Sequence, residues 1–340
     1  MKTALFDYLL PPERIAQKPV RPRDHSRLLV LDPVVGTMKH RRFFEIGDFL
    51  NPGDLLVVND TKVFKARLTA RRATGGKVEV FLLRALTDGK AASEWECLLK
   101  PGKKVRAGGA LVVGRVPFTV LRKNEDGVVV IHAPLSADNV IDFANHHGAI
   151  PVPPYVCRAP KTLADYQTVY AKKEGSVAAP TAGFHFTPQL IARLKKRGIR
   201  FASVTLHVGI GTFRPVSATT LEEHEMHAEW GEIPAATRRA IIQTRKKSGR
   251  VIAVGTTTVR ALEGLGREPS GWVDIFIRPG YRFRVVDALI TNFHLPRSTL
   301  LALVSALAGR AFVLAAYAEA VKKKYRFYSF GDAMFVTRRV

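Results

Sequence analysis

Histidine, threonine and asparagine residues recur at the ends of apolar segments in the second half of the chain. His185 and His207 follow two such segments. A run of three threonines that begins at Thr256 follows a third, and Asn292 and His294 follow a fourth. Imidazoles suit general acid–base chemistry, whereas hydroxyls and amides orient a ligand by hydrogen bonds. Because strands of an α/β sheet present their carboxyl ends at one edge, we expect these side chains to share one site.

The threonine run stands where a strand predicted over residues 251–254 passes into a helix. Gly255, Thr256 and Thr257 are the first residues after this strand. The first N–H groups of a helix have no partner within the helix, so they bind carboxylate or phosphate groups. Capping of the helix accounts for one threonine but not for three. We therefore expect Thr256 and Thr257 to contact a ligand.

Gly209, Gly211 and Thr212 follow a strand predicted over 199–206 and resemble a loop that binds a dinucleotide or S-adenosylmethionine (AdoMet). Arg214 replaces the third glycine of that fingerprint, and Pro215 follows at once instead of a helix. The match is weak as a nucleotide-binding signature. The glycines would nevertheless allow a ligand to approach the backbone closely.

The histidines have a structural alternative as well as a metal-binding one. His224 and His227 are three residues apart, whereas zinc peptidases use two histidines four apart, and no third ligand is near. We therefore expect no metal site. A single histidine at the end of an apolar segment is usually a hydrogen-bonded core residue. Its recurrence at His185, His207 and His294 favours a functional role.

The charge balance predicts a polyanionic partner. The 340 residues include 53 Lys and Arg against 29 Asp and Glu, which gives a formal net charge of +24. Such an excess favours nucleic acid, because basic side chains that neutralise phosphates release counterions. A solvated basic surface is the alternative. Two of the basic runs contain Arg71, Arg72, Lys103 and Lys104, which we expect to contact RNA phosphates.

Cysteine content and hydropathy predict a cytoplasmic protein. Cys97 and Cys157 are the two cysteines, which is too few for a disulfide framework or a cysteine-rich zinc site. The N-terminus lacks the apolar core of a signal peptide. The apolar range 298–318 is divided by Gly309 and Arg310 into pieces shorter than the ~20 residues of a spanning helix. We expect two buried helices there and no association with a membrane.

The pattern of segments predicts two domains. Strands and helices alternate in residues 1–64 and 152–340, which indicates a discontinuous α/β main domain with a mixed sheet. Residues 65–151 contain short strands separated by glycine turns, without helices between them. That pattern is typical of a small antiparallel β-barrel, inserted into the main domain.

Eight segments carry a resemblance to a known family: residues 22–29, 59–62, 166–170, 176–186, 206–216, 255–260, 291–300 and 325–335. Together they resemble the S-adenosylmethionine:tRNA ribosyltransferase-isomerases of queuosine biosynthesis, and the resemblance runs nearly from end to end. The resemblance implies that the ribosyl group of AdoMet moves to the aminomethyl nitrogen of a deazaguanine at the tRNA wobble position. The ribose would rearrange to an epoxy-cyclopentanediol, giving epoxyqueuosine and releasing adenine and methionine. It implies no separate cofactor, because AdoMet is a consumed substrate. We expect a monomer.

Given this reaction, we assign hypothetical roles to the residues above. His185 is the first choice for the base that removes a ribose proton, and His207 the second, each expected to titrate near neutral pH. Asp60 would bind ribose hydroxyls or the incoming amine. Thr256, Thr257 and Arg260 would hold the methionine carboxylate, and Asn292 and His294 would contact adenine or ribose. The remaining predicted substrate-binding residues are Thr181, Gly183, Gly209, Gly211 and Thr212.

Two other functions remain open at this point. An AdoMet-dependent RNA methyltransferase would use the loop at Gly209 and would release S-adenosylhomocysteine. A non-catalytic RNA-binding protein would fit the charge, but it would not need polar residues at several strand ends.

Overall fold

The computed structural model of the protein describes residues 1–87, 91–125, 127–209 and 216–339. In chain order the strands are β1 (Arg27–Asp32), β2 (Thr37–Arg42), β3 (Leu55–Asn59), β4 (Thr61–Val63), β5 (Arg67–Arg72), β6 (Lys77–Ala85), β7 (Ser93–Lys100), β8 (Ala110–Val113), β9 (Val116–Lys123), β10 (Val129–Ala133), β11 (Lys173–Ser176), β12 (Arg200–Leu206), β13 (Glu229–Glu232), β14 (Val251–Val254), β15 (Ser270–Val273), β16 (Ala288–Asn292) and β17 (Ala333–Thr337). The α-helices are α1 (Ala137–His147), α2 (Pro188–Lys196), α3 (Ala235–Lys246), α4 (Thr256–Leu265), α5 (Thr299–Ala308) and α6 (Arg310–Lys322).

A nine-stranded mixed sheet forms the body of the molecule, in the order β15, β13, β12, β3, β14, β16, β17, β1, β2. Strands β3, β14 and β16 are buried along their whole length and largely apolar, as expected for strands that are covered on both faces. Strand β2 is an edge strand, and its sequence is largely polar and exposed. The predicted α/β fold with a mixed sheet is confirmed.

Four neighbouring strands of this sheet run in the same direction. Strands β12 and β14 pair with β3 in parallel, and β16 pairs with β14 in parallel. Their last residues, Leu206, Asn59, Val254 and Asn292, therefore lie at one edge of the sheet. Three of the four polar turns singled out from the sequence follow these strands.

The fourth turn, which leads to His185, does not follow a strand of the main sheet, contrary to expectation. Only Lys173–Ser176 is extended, and it pairs with β4 in a separate two-stranded sheet. Thr181–His185 forms a 3₁₀ turn. Pro180 lacks the N–H group that a central strand must donate, which explains why the apolar segment does not continue as a strand.

Strands β5 to β10 form a closed barrel in the order β10, β7, β6, β5, β8, β9, and the neighbouring pairs are antiparallel. Leu68, Val80 and Phe118 are among the buried residues of its interior, and Val140 of α1 packs against them. In the chain, the barrel lies between β4 and β11. The predicted antiparallel barrel is confirmed.

The apolar range near residue 300 forms two helices, as predicted. Ser298 caps α5, because its Oγ accepts a hydrogen bond from the N–H of Leu301 at 3.2 Å. Gly309, at φ 86°, allows the turn into α6, and the two helices are bent by 114°. In the described part of the chain, no single helix is long and apolar enough to cross a membrane. Taken together, the bent pair of α5 and α6 has the length and the apolar composition of a membrane-crossing segment.

Helix α4 is fixed at its carboxyl-terminal half by the buried carboxylate of Glu263. This carboxylate accepts hydrogen bonds from the N–H groups of Arg284, Val285 and Val286 at 2.9–3.0 Å. The hydroxyl of Tyr281 donates a further bond at 3.0 Å. Because a buried carboxylate is stable only when its oxygens are bonded, this cluster ties α4 to the segment before β16.

We expect Glu263→Gln to lower the free energy of unfolding by about 3 kcal/mol, because the new amide N–H₂ group faces backbone donors. Urea unfolding would measure the change. Glu268→Gln is the matched control, since Glu268 is exposed, and it should change the free energy by less than about 0.5 kcal/mol. Equal effects of the two substitutions would contradict a fixing role for Glu263.

Candidate active site

A cleft with an empty volume of about 640 Å³ lies at the edge where the parallel strands end. The turn after β16, the start of α4, the start of α5 and residues 179–182 form its walls. Its polar lining residues include Tyr155, Thr181, Thr256, Thr257, Thr291, Asn292, His294, Ser298 and Ser329. Five of the predicted substrate-binding residues are among them: Thr181, Thr256, Thr257, Asn292 and His294.

The amino terminus of α4 faces this cleft. The N–H of Val259 donates to the carbonyl of Gly255, so the N–H groups of the residues between them precede the first bond of the helix. Gly255 has φ 93°, a conformation that glycine adopts without strain. Thr258 is committed to the helix, because its Oγ1 donates to the carbonyl of Val254 at 2.7 Å. Thr256 and Thr257 remain on the cleft wall, next to N–H groups that suit an anion.

Asn59 connects the end of β3 to β12 and α4, although it is absent from the predicted site residues. Its Nδ2 donates to the carbonyl of Leu206 at 2.9 Å and to Thr257 Oγ1 at 3.3 Å. Its Oδ1 accepts from the N–H groups of Leu206 and Thr61, both at 3.1 Å. The side chain therefore replaces the backbone bonds that are lost where the strands diverge, and it holds Thr257 in place.

A chain of hydrogen bonds runs from the cleft into the protein. Thr181 Oγ1 donates to Asn292 Oδ1 at 3.1 Å, so the amide nitrogen of Asn292 faces the Nε2 of His185, 3.0 Å away. Nε2 accepts this bond, and the proton of the ring is therefore on Nδ1, which lies 2.7 Å from Ser26 Oγ. Both ring nitrogens of His185 are thus engaged in the neutral form.

Burial, together with the positive charges of Arg326 and Arg23, lowers the pKa of His185 to about 3. Burial alone lowers the pKa of His294 to about 3. The pKa of His207 is lowered too, first by burial and then by the charge of Lys173. The expectation that His185 titrates near neutral pH is therefore wrong, because a buried imidazole loses the hydration that stabilises its charged form.

His294 is held from three sides in the wall of the cleft. Its Nε2 lies 3.1 Å from Thr291 Oγ1, and its Nδ1 lies 3.3 Å from the hydroxyl of Tyr317. Tyr8 donates a hydrogen bond to the carbonyl of His294 at 2.5 Å. The first two contacts hold the ring, and the third holds the backbone at the same residue.

Other predicted residues lie outside the cleft. His185 itself lines a smaller pocket of about 220 Å³ with Arg23 and Ser26. His207 turns away, and its Nδ1 lies 2.8 Å from Thr61 Oγ1. Asp60 lines a separate groove, and its Oδ1 accepts a bond from Thr205 Oγ1 at 2.7 Å.

Arg260 lies in a pocket of about 430 Å³ that adjoins the cleft, and both are lined by Leu300. The guanidinium pairs with Glu229 in the interior, while its Nε is buried and has no hydrogen-bond partner among the described residues. Glu229 also accepts a bond from the N–H of Gly209 at 2.9 Å.

Three further predicted substrate-binding residues are Gly183, Gly211 and Thr212. Gly183 is packed beneath the cleft, where an added Cβ would collide with the hydroxyl of Tyr170. Gly211 and Thr212 lie outside the described residues.

The predicted RNA-binding residues lie on the barrel. Arg71, Lys103 and Lys104 are exposed. Arg72 is half-buried, and its Nη1 donates to the carbonyl of Lys104 at 3.4 Å. The two basic runs are therefore adjacent on the barrel surface.

Tyr155, Tyr328 and Ser329 line the cleft but are absent from the predicted site residues. Tyr155 Oη lies 2.7 Å from Ser329 Oγ, and burial raises the pKa of Tyr155 to about 12. Tyr328 has φ 70°, which is strained for a side-chain-bearing residue and is typical of functional sites. The segment 325–335 carries the family resemblance, which is the one signal in the sequence that points to this wall.

His224 and His227 lie beside Arg260 in the adjoining pocket. Within the described ranges, no group of three His, Cys, Asp or Glu side chains could hold a metal ion.

Comparison with known proteins places the chain among related sequences. The family model described as "Queuosine biosynthesis protein" matches residues 3–336. A protein of Thermotoga maritima named S-adenosylmethionine:tRNA ribosyltransferase-isomerase is 52% identical over 342 residues, which are 99% of this chain and 100% of that protein. A protein of Moorella thermoacetica with the same name is 49% identical over 353 residues, which are 99% and 100% of the two chains.

A solved structure supports the same relation. The crystal structure of S-adenosylmethionine tRNA ribosyltransferase from Thermotoga maritima matches with a TM-score of 0.57 at 43% sequence identity. The match covers 98% of this chain and 99% of that chain.

The lowered pKa values of His185 and His294 predict a loss of stability in mild acid. The unfolded chain binds a proton on each ring below about pH 6.5, whereas the folded chain does so only near pH 3. The unfolded state therefore binds more protons in this window, and the free energy of unfolding falls as the pH falls. We expect each imidazole to account for about 2 kcal/mol between pH 7 and pH 5.

Urea unfolding of the parent and of His185→Gln at the two pH values would measure this effect. The variant should lose about 2 kcal/mol less than the parent between pH 7 and pH 5. The same pH dependence in both proteins would show that His185 is not held neutral in the fold.

Proposed function

The chain belongs to the queuosine biosynthesis protein family, and from this membership we propose that it transfers the ribosyl group of AdoMet to tRNA and isomerises it. Its relatives in this family are named as enzymes, and they match it over nearly its whole length. The chain is accordingly an enzyme of the transferase-isomerase type.

In the proposed reaction, the acceptor is the aminomethyl nitrogen of a deazaguanine base at the wobble position of tRNA. A base removes a proton from the ribose 5′ carbon, which the neighbouring sulfonium makes acidic. The ribose then rearranges to an epoxy-cyclopentanediol attached to the nitrogen, and adenine and methionine leave. The product is epoxyqueuosine in tRNA, and AdoMet is consumed as a substrate rather than used as a cofactor.

The observation that supports this proposal best is the meeting of Thr256, Thr257 and Asn292 on one cleft at the sheet edge. The cleft lies where the parallel strands end, which is where α/β sheets commonly bind small molecules. The amino terminus of α4 would bind the methionine carboxylate through its N–H groups. Asn292 and His294 would contact the adenine or the ribose from the facing wall.

The proposed roles of Arg260 and Asp60 depend on the neighbouring cavities. Arg260 can contact the carboxylate only if the methionine end of AdoMet extends from the cleft into the adjoining pocket. Its unpartnered Nε would supply a charge-assisted hydrogen bond there. Asp60 lines a groove separate from the cleft, so its proposed contact would be with the RNA substrate rather than with AdoMet.

His185 suits a positioning role better than that of the base. A general base must present a free lone pair to the proton that it removes, whereas the Nε2 of His185 accepts a hydrogen bond from Asn292. The Nδ1 of the same ring is engaged with Ser26. We propose that His185 fixes the amide of Asn292 in the orientation that contacts the nucleoside.

The reaction is tested with tRNA that already carries the aminomethyl-deazaguanine base, incubated with the protein and AdoMet. We expect mass spectrometry of the digested nucleosides to show epoxyqueuosine, with free adenine and methionine in equal amounts. The same tRNA with guanine at the wobble position is the control and should give none of these products. Release of S-adenosylhomocysteine instead would identify a methyltransferase.

The role of His185 is tested by the rate of adenine release in His185→Ala, Asn292→Ala and the double variant. If His185 acts through Asn292, each single variant should lose about 10-fold to 100-fold, and the double variant should lose no more than either. The pH profile should keep its shape. His146→Ala, which removes an exposed histidine of α1, is the control and should keep the parent rate.

A different outcome would restore the catalytic assignment. If His185→Ala abolishes adenine release and removes the acidic limb of the pH profile while AdoMet still binds, His185 is the base.

A further inference from the structure

A groove with an empty volume of about 950 Å³ runs along the side of the main sheet between α2 and α3, and we call it the β12 groove. Its floor is the outer edge of β12. Residues 200–204 of this strand pair with β3 on one side, whereas β13 pairs only with Thr205 and Leu206 on the other. No further strand of the described chain covers this edge.

The open edge presents polar backbone groups to the groove. The N–H of Arg200 and the carbonyl of Val204 point toward β3, because they bond to the chain at Asp54 and Asp60. By the alternation of a parallel strand, the backbone groups of Phe201 and Ser203 face the opposite way. The carbonyl of Ser203 accepts a bond from Thr237 Oγ1 at 2.6 Å, and the N–H groups of this edge have no strand to pair with.

The two helices that flank the groove carry basic residues and no acidic ones. Every charged residue in the ranges 188–208 and 233–262 is Lys or Arg, and these ranges contain α2 and α3. Lys195 of α2 and Lys172, which precedes β11, are the basic residues among those that line the groove. Arg197, Arg245 and Arg250 instead form ion pairs with Asp48, Asp287 and Asp54. Long-range repulsion within such a surface is relieved when it meets an anionic partner.

Two lysines in the groove have no acidic partner. Lys172 and Lys195 both line it and are exposed, and neither forms an ion pair with a described residue. Lys195 instead lies over the ring of Phe201, 5.8 Å from its centroid. The acidic Asp60 is also among the lining residues, but it is buried and bonded to Thr205.

We propose that the β12 groove binds the phosphate backbone of the tRNA whose wobble base enters the cleft. The groove begins at Asp60, next to Asn59, which bonds Thr257 in the wall of the cleft. From there α2 and α3 lead away from the cleft edge over 9 and 12 residues, or roughly 14 and 18 Å. An RNA strand that leaves the cleft along the groove therefore meets Lys172 and Lys195.

This inference rests on the proposed function, because it takes the tRNA substrate as the partner. It assigns phosphate contacts to the main domain in addition to those predicted for the barrel at Lys103 and Lys104. The two surfaces can be separated by charge neutralisation at each.

The test compares three double variants in tRNA binding between 50 and 200 mM salt. Lys172→Gln with Lys195→Gln neutralises the groove, and Lys103→Gln with Lys104→Gln neutralises the barrel surface. Lys322→Gln with Lys323→Gln is the matched control, because both side chains are exposed at the end of α6 and neither lines the groove. Fluorescence anisotropy of labelled tRNA measures affinity, and AdoMet binding to each variant shows whether the cleft is intact.

We expect the groove variant to bind tRNA at least about tenfold more weakly at 100 mM salt, with the slope of log K against log salt reduced by about 1.4 to 1.8. AdoMet binding should equal that of the parent. The control variant should keep the affinity and the slope of the parent.

Two outcomes would overturn the proposal in distinguishable ways. If the parent releases adenine with tRNA while the groove variant keeps the affinity and slope of the parent, the groove does not bind RNA and the proposed function stands. If the parent neither binds tRNA nor releases adenine, the proposed function itself is wrong and the inference falls with it.

Discussion

The parallel alignment of β12, β3, β14 and β16 is the constraint on which the candidate site depends. Because these strands run in one direction, the chain leaves each of them at the same edge of the sheet. Helix α4 then starts at the cleft, with its positive end directed at a ligand. No single segment of the sequence could form the cleft, since its walls come from residues more than a hundred positions apart.

Buried polar side chains stabilise this edge. Asn59 fills the gap where β3 and β12 diverge, and the bonds from Thr181 through Asn292 and His185 to Ser26 extend below the cleft. Each of these groups would be costly to bury without a partner, so the network permits few alternative arrangements. A site of this kind is prepared before the ligand arrives, which reduces the ordering that binding requires.

The sequence predicted the segments of this fold better than the directions of its side chains. Apolar runs ended by glycine identified β14 and the barrel strands, and the threonines at the start of α4 lie on the cleft as predicted. His207 does not line the cleft, because adjacent residues at a strand end point to opposite sides, and Val208 lines it instead. The pKa of His185 could not be foreseen, because it depends on burial by Phe43 and Ser26, which are distant in the chain.

The placement of the barrel between β4 and β11 has a consequence for how such proteins can diversify. The two strands pair with each other in parallel, and Lys62 of one forms an ion pair with Glu174 of the other at 2.7 Å. The two chain segments that flank the barrel are therefore held next to each other. Residues can be gained or lost within the barrel without altering the register of the main sheet. Evolution could thus remodel the accessory module while the nine-stranded scaffold stays unchanged.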